Sequence, residues 1–125
     1  MSRLRIESTF EIPKAWGREL VLINDEKYCG KILEIKSGCQ FSMHFHIKKD
    51  ETWYIRSGFL VLKYIDTSDA SSHELELKQG DVVRVAPGCP HQLRAIEDSE
   101  IFEVSTTHQD TDSFRVAPGD SQKPS

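Results

Sequence analysis

The chain has no apolar run approaching the roughly 20 residues needed to cross a bilayer. Its first ten residues, MSRLRIESTF, lack the apolar stretch of a secretory leader. Neither a membrane-spanning nor an exported protein is expected. Positive charge is not in excess either, because 16 Lys and Arg stand against 20 Asp and Glu, a formal net charge of −4. Phosphate backbones demand a basic face, so a nucleic-acid partner is not expected. The three cysteines, Cys29, Cys39 and Cys89, are odd in number and form no CxxC pair. Neither a disulfide framework nor a zinc knuckle follows; three reduced thiols in a cytoplasmic protein are expected, with packing as their ordinary use. Helical periodicity is missing as well, since no window carries a 3.6-residue apolar period through three turns.

What remains is β structure. Short runs of β character fall at residues 18–23, 27–36, 41–47, 51–56, 59–65, 73–78, 81–86, 91–97 and 101–106. Turn residues separate them, among them Asn24-Asp25, Ser37-Gly38, Ser57-Gly58, Gln79-Gly80 and Pro87-Gly88. Many short strands in a chain of 125 residues predict one all-β domain, a sandwich or small barrel. We place that domain at residues 1–106 and a C-terminal extension at 107–125. The last ten residues are small, polar and bear Pro and Gly, so they are expected to fray.

The stretch HFHIKKDE, residues 44–51, carries the densest chemistry. Alternation along a strand puts His44 and His46 on one face, with Ser42, and Phe41, Met43 and Phe45 on the other. Lys48-Lys49-Asp50 is a polar break that reads as a solvated turn. If an antiparallel hairpin follows, Glu51 returns beside His46, and two imidazoles and a carboxylate converge. His91, just after the Pro87-Gly88-Cys89-Pro90 turn, is a fourth candidate. A histidine pair two apart on a strand is, taken alone, more often surface or hydrogen-bonded polar structure than a ligand pair; here the spacing around it carries more information than the pair. Three neutral imidazoles with one carboxylate suit Mn, Fe, Co, Ni or Zn, and in an octahedral ion leave two positions open.

The spacing Gly38-x5-His44-x-His46-x4-Glu51-x6-Gly58, completed by Gly80-Asp81 and Pro87-Gly88-x2-His91, resembles the two motifs of the cupin superfamily over about residues 38–95. That resemblance implies a double-stranded β-helix (jelly-roll barrel), a homodimer, and one divalent transition metal held by His44, His46, Glu51 and His91. Further pieces look like the cupin domain of type II mannose-6-phosphate isomerases: Lys14-Ala15-Trp16-Gly17, Tyr28-Cys29-Gly30-Lys31, Phe41-Ser42, Lys49-x-Glu51-x-Trp53, Glu103-Val104 and Asp110-x-Asp112-Ser113-Phe114-Arg115. The chain departs from that family at His44, where glutamine is usual, and at Lys49, where arginine is common. The family's closing aromatic-Gly-Arg segment is missing.

The resemblance implies a metal-dependent aldose–ketose isomerase acting on a phosphosugar. Alternatives are another metallocupin enzyme such as an Fe(II) dioxygenase, a non-catalytic cupin binding a sugar or metal, and a metal-free nucleotide-sugar epimerase. For an isomerase the base is expected to be Glu103, which alternates with Ile101 and Ser105; if the Phe102 face is inward, Glu103 is plain surface. Lys31 shares the face of Leu33 and Ile35 and could meet a phosphate or hydroxyl, or snorkel at the rim. Trp53 and Ser42 are candidates to line the sugar pocket, although core packing is the commoner use of a Trp. Arg84 could bind phosphate if the Val82 face points inward.

Overall fold

The computed structural model describes residues 3–123. Its strands are β1 (Phe10–Lys14), β2 (Gly17–Asn24), β3 (Cys29–Ile35), β4 (Met43–Phe45), β5 (Glu51–Ser57), β6 (Phe59–Asp66), β7 (Ser71–Lys78), β8 (Val82–Val85), β9 (His91–Ala95), β10 (Ser99–Ser105) and β11 (Phe114–Ala117). Each of the nine expected runs contains a strand, and β1 and β11 are additional. No helix among the described residues is long and apolar enough to cross a membrane.

The strands form two antiparallel sheets, ordered β1-β2-β3-β10-β5-β8 and β11-β4-β9-β6-β7. Faced together they make the jelly-roll barrel. Alternation decides what lies between them: Leu33 and Ile35 of β3, Trp53 and Ile55 of β5, Leu60 and Leu62 of β6, Leu93 and Ala95 of β9 and Ile101 of β10 are all buried. Many of their neighbours along the strands are exposed or half-buried, and a cluster of buried polar side chains, Lys31, His46, Lys49, Glu51, His91 and Glu103, lies beside this core. Gly58 closes the β5–β6 turn at φ 95°, where an L side chain is strained. A Cβ there would also collide with Ser99 and the Asp98 carbonyl.

Two expectations are corrected. β4 and β5 do not form a hairpin: β4 lies in the five-stranded sheet and β5 in the six-stranded one. The Lys48–Asp50 segment crosses the barrel, and Glu51 meets His46 from the facing sheet rather than from a neighbouring strand. Phe41 does not share the outer face with Phe45. Residues 41 and 42 precede β4 without strand geometry, so alternation does not apply, and Phe41 packs inward against Trp16 and Trp53. The described part of the tail is hydrogen-bonded to the barrel. β11 pairs with β4, Asp120 N–H donates to the Gln40 carbonyl at 3.0 Å, and Asp120 Oδ2 accepts from Gln40 N–H at 2.8 Å. Composition misses this because backbone and cap hydrogen bonds, not apolar side chains, hold the segment. Residues 124 and 125, also expected to fray, lie outside the described residues.

Candidate metal centre

His44, at the centre of β4, is paired directly with His91, the first residue of β9, and the two rings meet at 4.6 Å. His46 follows just beyond β4 and shares the face of His44, with ring centroids 5.1 Å apart. One ring nitrogen from each of the three histidines lies within 4.8 Å of the others. Glu51, at the start of β5, completes the ring from across the barrel: its carboxylate stands 3.5 Å from His46 Nε2 and 3.8 Å from His91 Nε2.

Each imidazole is oriented by a main-chain carbonyl. His44 Nδ1 lies 2.8 Å from the Ser42 carbonyl, His46 Nδ1 2.7 Å from that of Asp112, and His91 Nδ1 2.9 Å from that of Cys89. A carbonyl only accepts, so each Nδ1 carries the proton and each Nε2 keeps its lone pair. Burial, reinforced by the neighbouring His91, pushes the His44 imidazole down to about 3. Burial likewise brings His91 to about 4 and lowers His46. All three are therefore neutral donors at physiological pH. Glu51 Oε2 is buried without a hydrogen-bond partner. Neutral imidazoles locked from behind, with an unsatisfied carboxylate oxygen beside them, are a donor set that fits a borderline divalent cation.

Beside this group lies an ion network that the sequence reading missed. Lys49, expected in a solvated turn, is buried, with Nζ 2.9 Å from Glu103 and 3.5 Å from Glu51. Burial pulls its ammonium down, but Glu103 and Glu51 outweigh that and hold it above its usual range. Burial pushes the Glu103 carboxyl up; Lys49 and Lys31 outweigh it, and Glu103 sits below the usual carboxylate range. Glu51 goes the other way: burial and the Glu103 charge raise it to about 7. His108, also unflagged by sequence, brings its Nδ1 within 3.3 Å of Lys49 Nζ. The only sequence signal for Lys49 was its place two residues before Glu51; a lysine in a polar turn otherwise gives no hint of burial.

These groups line a cavity of about 470 Å³ between the sheets. Among the candidates, Lys31, Ser42, Trp53 and Glu103 all line it with the histidines and Glu51. Lys31 is buried and paired with Glu19 at 2.8 Å. Ser42 Oγ lies 3.1 Å from His44 Nδ1, so it backs the imidazole rather than standing free. Arg84 is corrected: Val82 and Arg84 point outward on β8 while Val85 is buried, and the guanidinium pairs with Asp50 at 2.5 Å on the surface. The parity of β8 is opposite to the one a phosphate-binding Arg84 needs.

Compared with known proteins, residues 31–108 match the family model of the Cupin domain. No curated protein matches the chain by sequence. Among solved structures, a variant of Bacillus subtilis oxalate decarboxylase superposes with a TM-score of 0.76 at 20% identity, over 86% of this chain and 30% of that one. The capsular polysaccharide assembling protein CapF of Staphylococcus aureus superposes with a TM-score of 0.78 at 17% identity, over 90% of this chain and 32% of that one. The chain thus spans about a third of the length of either protein, and the likeness is one of fold.

Proposed function

Since the chain belongs to the Cupin domain family, we propose that it is a metal-dependent enzyme of phosphosugar aldose–ketose isomerisation. One observation carries this reading: three imidazoles locked with Nε2 inward stand beside a buried, ionised carboxylate, Glu103, in one cavity. A divalent transition metal held by His44, His46, Glu51 and His91 would supply Lewis-acid polarisation of the substrate's carbonyl. Mn is the first metal to test, since B. subtilis oxalate decarboxylase, a protein of the same fold, has Mn(II) centres.

The chain's own residues do the rest. Aldose–ketose exchange moves one proton from the carbon beside the carbonyl to the former carbonyl carbon, and a second from that carbon's hydroxyl to the former carbonyl oxygen. Glu103 is the base, accepting the first proton on its carboxylate and giving it back. Lys49, 2.9 Å away, keeps Glu103 ionised when no substrate is bound. Glu51 is a poor base in this arrangement, because coordination lowers its basicity. Trp53 walls the cavity and excludes water from the reacting carbons. Lys31, fixed by Glu19, presents an ammonium to a hydroxyl of the sugar. A homodimer fits the outer face of the six-stranded sheet, where the pairing aligns Leu20, Ile32, Phe102, Tyr54 and Val82 in one apolar row.

The test is metal content by mass spectrometry on wild type and His46→Ala, with mannose 6-phosphate isomerisation assayed across added Mn, Fe, Co, Ni and Zn. Near-stoichiometric metal lost in the variant, with metal-dependent turnover abolished by Glu103→Gln, is the expected result. Metal without turnover overturns the isomerase and leaves a metal-binding cupin; no metal in either protein overturns the centre itself.

A further inference from the structure

Four cations line the cavity: Lys14, Lys31, Lys49 and Arg115. Each lysine is paired with a carboxylate, Lys14 and Lys31 sharing Glu19 at 3.5 and 2.8 Å, and Lys49 lying beside Glu103 and Glu51. Among the described residues, no carboxylate pairs with Arg115. The register of β11 on β4 sets the direction of its side chain. Phe114 opposes Phe45 and Arg115 opposes His44. The two phenyl rings stack at 5.3 Å on the outer face, so the alternate pair, His44 and Arg115, shares the inner one. An unpaired guanidinium therefore stands one strand spacing from a metal-site imidazole, at the cavity's exposed mouth.

Two other tail residues that line the cavity have their acceptors occupied by backbone N–H groups. Ser121 Oγ accepts from Ala15 N–H at 3.1 Å, which leaves its O–H to donate. Gln122 Oε1 accepts from Gly119 N–H at 3.0 Å, which leaves its NH₂ to donate. Asp110 also lines the cavity, but its carboxylate is held by His108 Nε2 at 3.1 Å. The tail thus presents a guanidinium fork, a hydroxyl donor and an amide donor. That set matches a tetrahedral dianion with three acceptor oxygens.

We infer that Arg115 is the anion anchor of the cavity, gripping the phosphate of a phosphorylated substrate with help from Ser121 and Gln122. The inference rests on the phosphosugar reading for the identity of the ligand. It moves charge recognition from Arg84 on the barrel to the C-terminal tail.

The experiment measures binding of mannitol 6-phosphate and of mannitol by titration calorimetry on the protein as purified. A polyol phosphate has no carbonyl and cannot isomerise, so binding is read without turnover. Wild type is expected to bind the phosphate ester and not mannitol. Arg115→Gln should weaken binding roughly 10- to 100-fold, the loss expected when a charge-assisted contact is removed. Arg115→Lys should recover part of it. Arg94→Gln, which removes an exposed charge from the outer side of β9, should change nothing. Metal content should stay at the wild-type level in every variant. Undiminished binding by Arg115→Gln, no binding by wild type, or equal binding of mannitol and its phosphate each overturn the anchor. Phosphate-selective binding without isomerisation overturns the isomerase and keeps the anchor; isomerisation with an unchanged KM in Arg115→Gln does the reverse.

Discussion

Asp112→Ala asks whether the tail builds the site or merely covers it. The Asp112 carboxylate is buried and accepts three successive backbone N–H groups, from Ile47 at 2.8 Å, Lys48 at 3.1 Å and Lys49 at 3.0 Å. Its main-chain carbonyl takes the His46 Nδ1–H. Ile47 and Lys48 are exposed, so water can replace the carboxylate there. Lys49 is buried, and its N–H would be left without a partner. Taking one such loss in full and the other two in small part gives about 2–3 kcal/mol. For a domain of this length that lowers Tm by roughly 8–12 °C. The crossing segment then shifts relative to the tail, and because outer partners of a metal ligand carry tenfold or more in affinity, metal binding should weaken by about 10-fold. Asp112→Asn keeps one acceptor oxygen and should lose about half as much stability. The sign with pH is also fixed. Burial raises the carboxyl, but the three N–H donors outweigh it and hold Asp112 below its usual range. Its contribution is complete above the unfolded value of about 4 and lost as pH falls through the lower folded value. The stability gap between wild type and Asp112→Ala should therefore shrink in acid. Thermal unfolding from pH 3 to 7, with chelator competition for the metal, measures both effects. A Tm within 2 °C of wild type and unchanged metal affinity would refute the reasoning.

Much of this arrangement was legible in the sequence because strands impose a two-residue period. His44 and His46 share a face for that reason, and Lys31, Leu33 and Ile35 turn inward together, as do Ile101 and Glu103. The glycines at 38, 58 and 80 mark turns, and each takes a positive φ. Parity alone does not say which face is inward, and that is where Arg84 went astray: on β8 both faces carry valine, so composition could not choose. Nor does parity apply outside strands, hence Phe41. The other failures are long-range. Lys49 looks solvated until β10 brings Glu103 to it and the tail brings Asp112 and His108, 63 and 59 residues away. The tail itself looks disposable because its contacts are hydrogen bonds from backbone and short polar side chains. Local composition registers apolar burial far better than it registers such caps.

Three further outcomes test the packing of the site. Gly119→Ala would push a Cβ into the main chain at Phe41 and Ser42; it should cost about 1–3 kcal/mol and speed amide exchange at Gln40 and Asp120. Lys49→Met strands two buried carboxylates and should cost about 3–5 kcal/mol in urea unfolding, partly recovered by adding Glu103→Gln. On the proposed ligand set, Glu51 should govern the pH dependence of metal binding. In the metal-free protein burial and Glu103 raise it to about 7, whereas His44 and His91, at about 3 and 4, hold no proton near neutrality. Below pH 7 a metal must displace the Glu51 proton, so affinity should fall by up to about tenfold per pH unit while the imidazoles stay neutral. Calorimetry at pH 6 in buffers of different ionisation enthalpy should show close to one proton released in wild type and none in Glu51→Gln, which binds more weakly. Were wild type to release no proton at pH 6, Glu51 would not be a ligand, and the site would reduce to its three histidines.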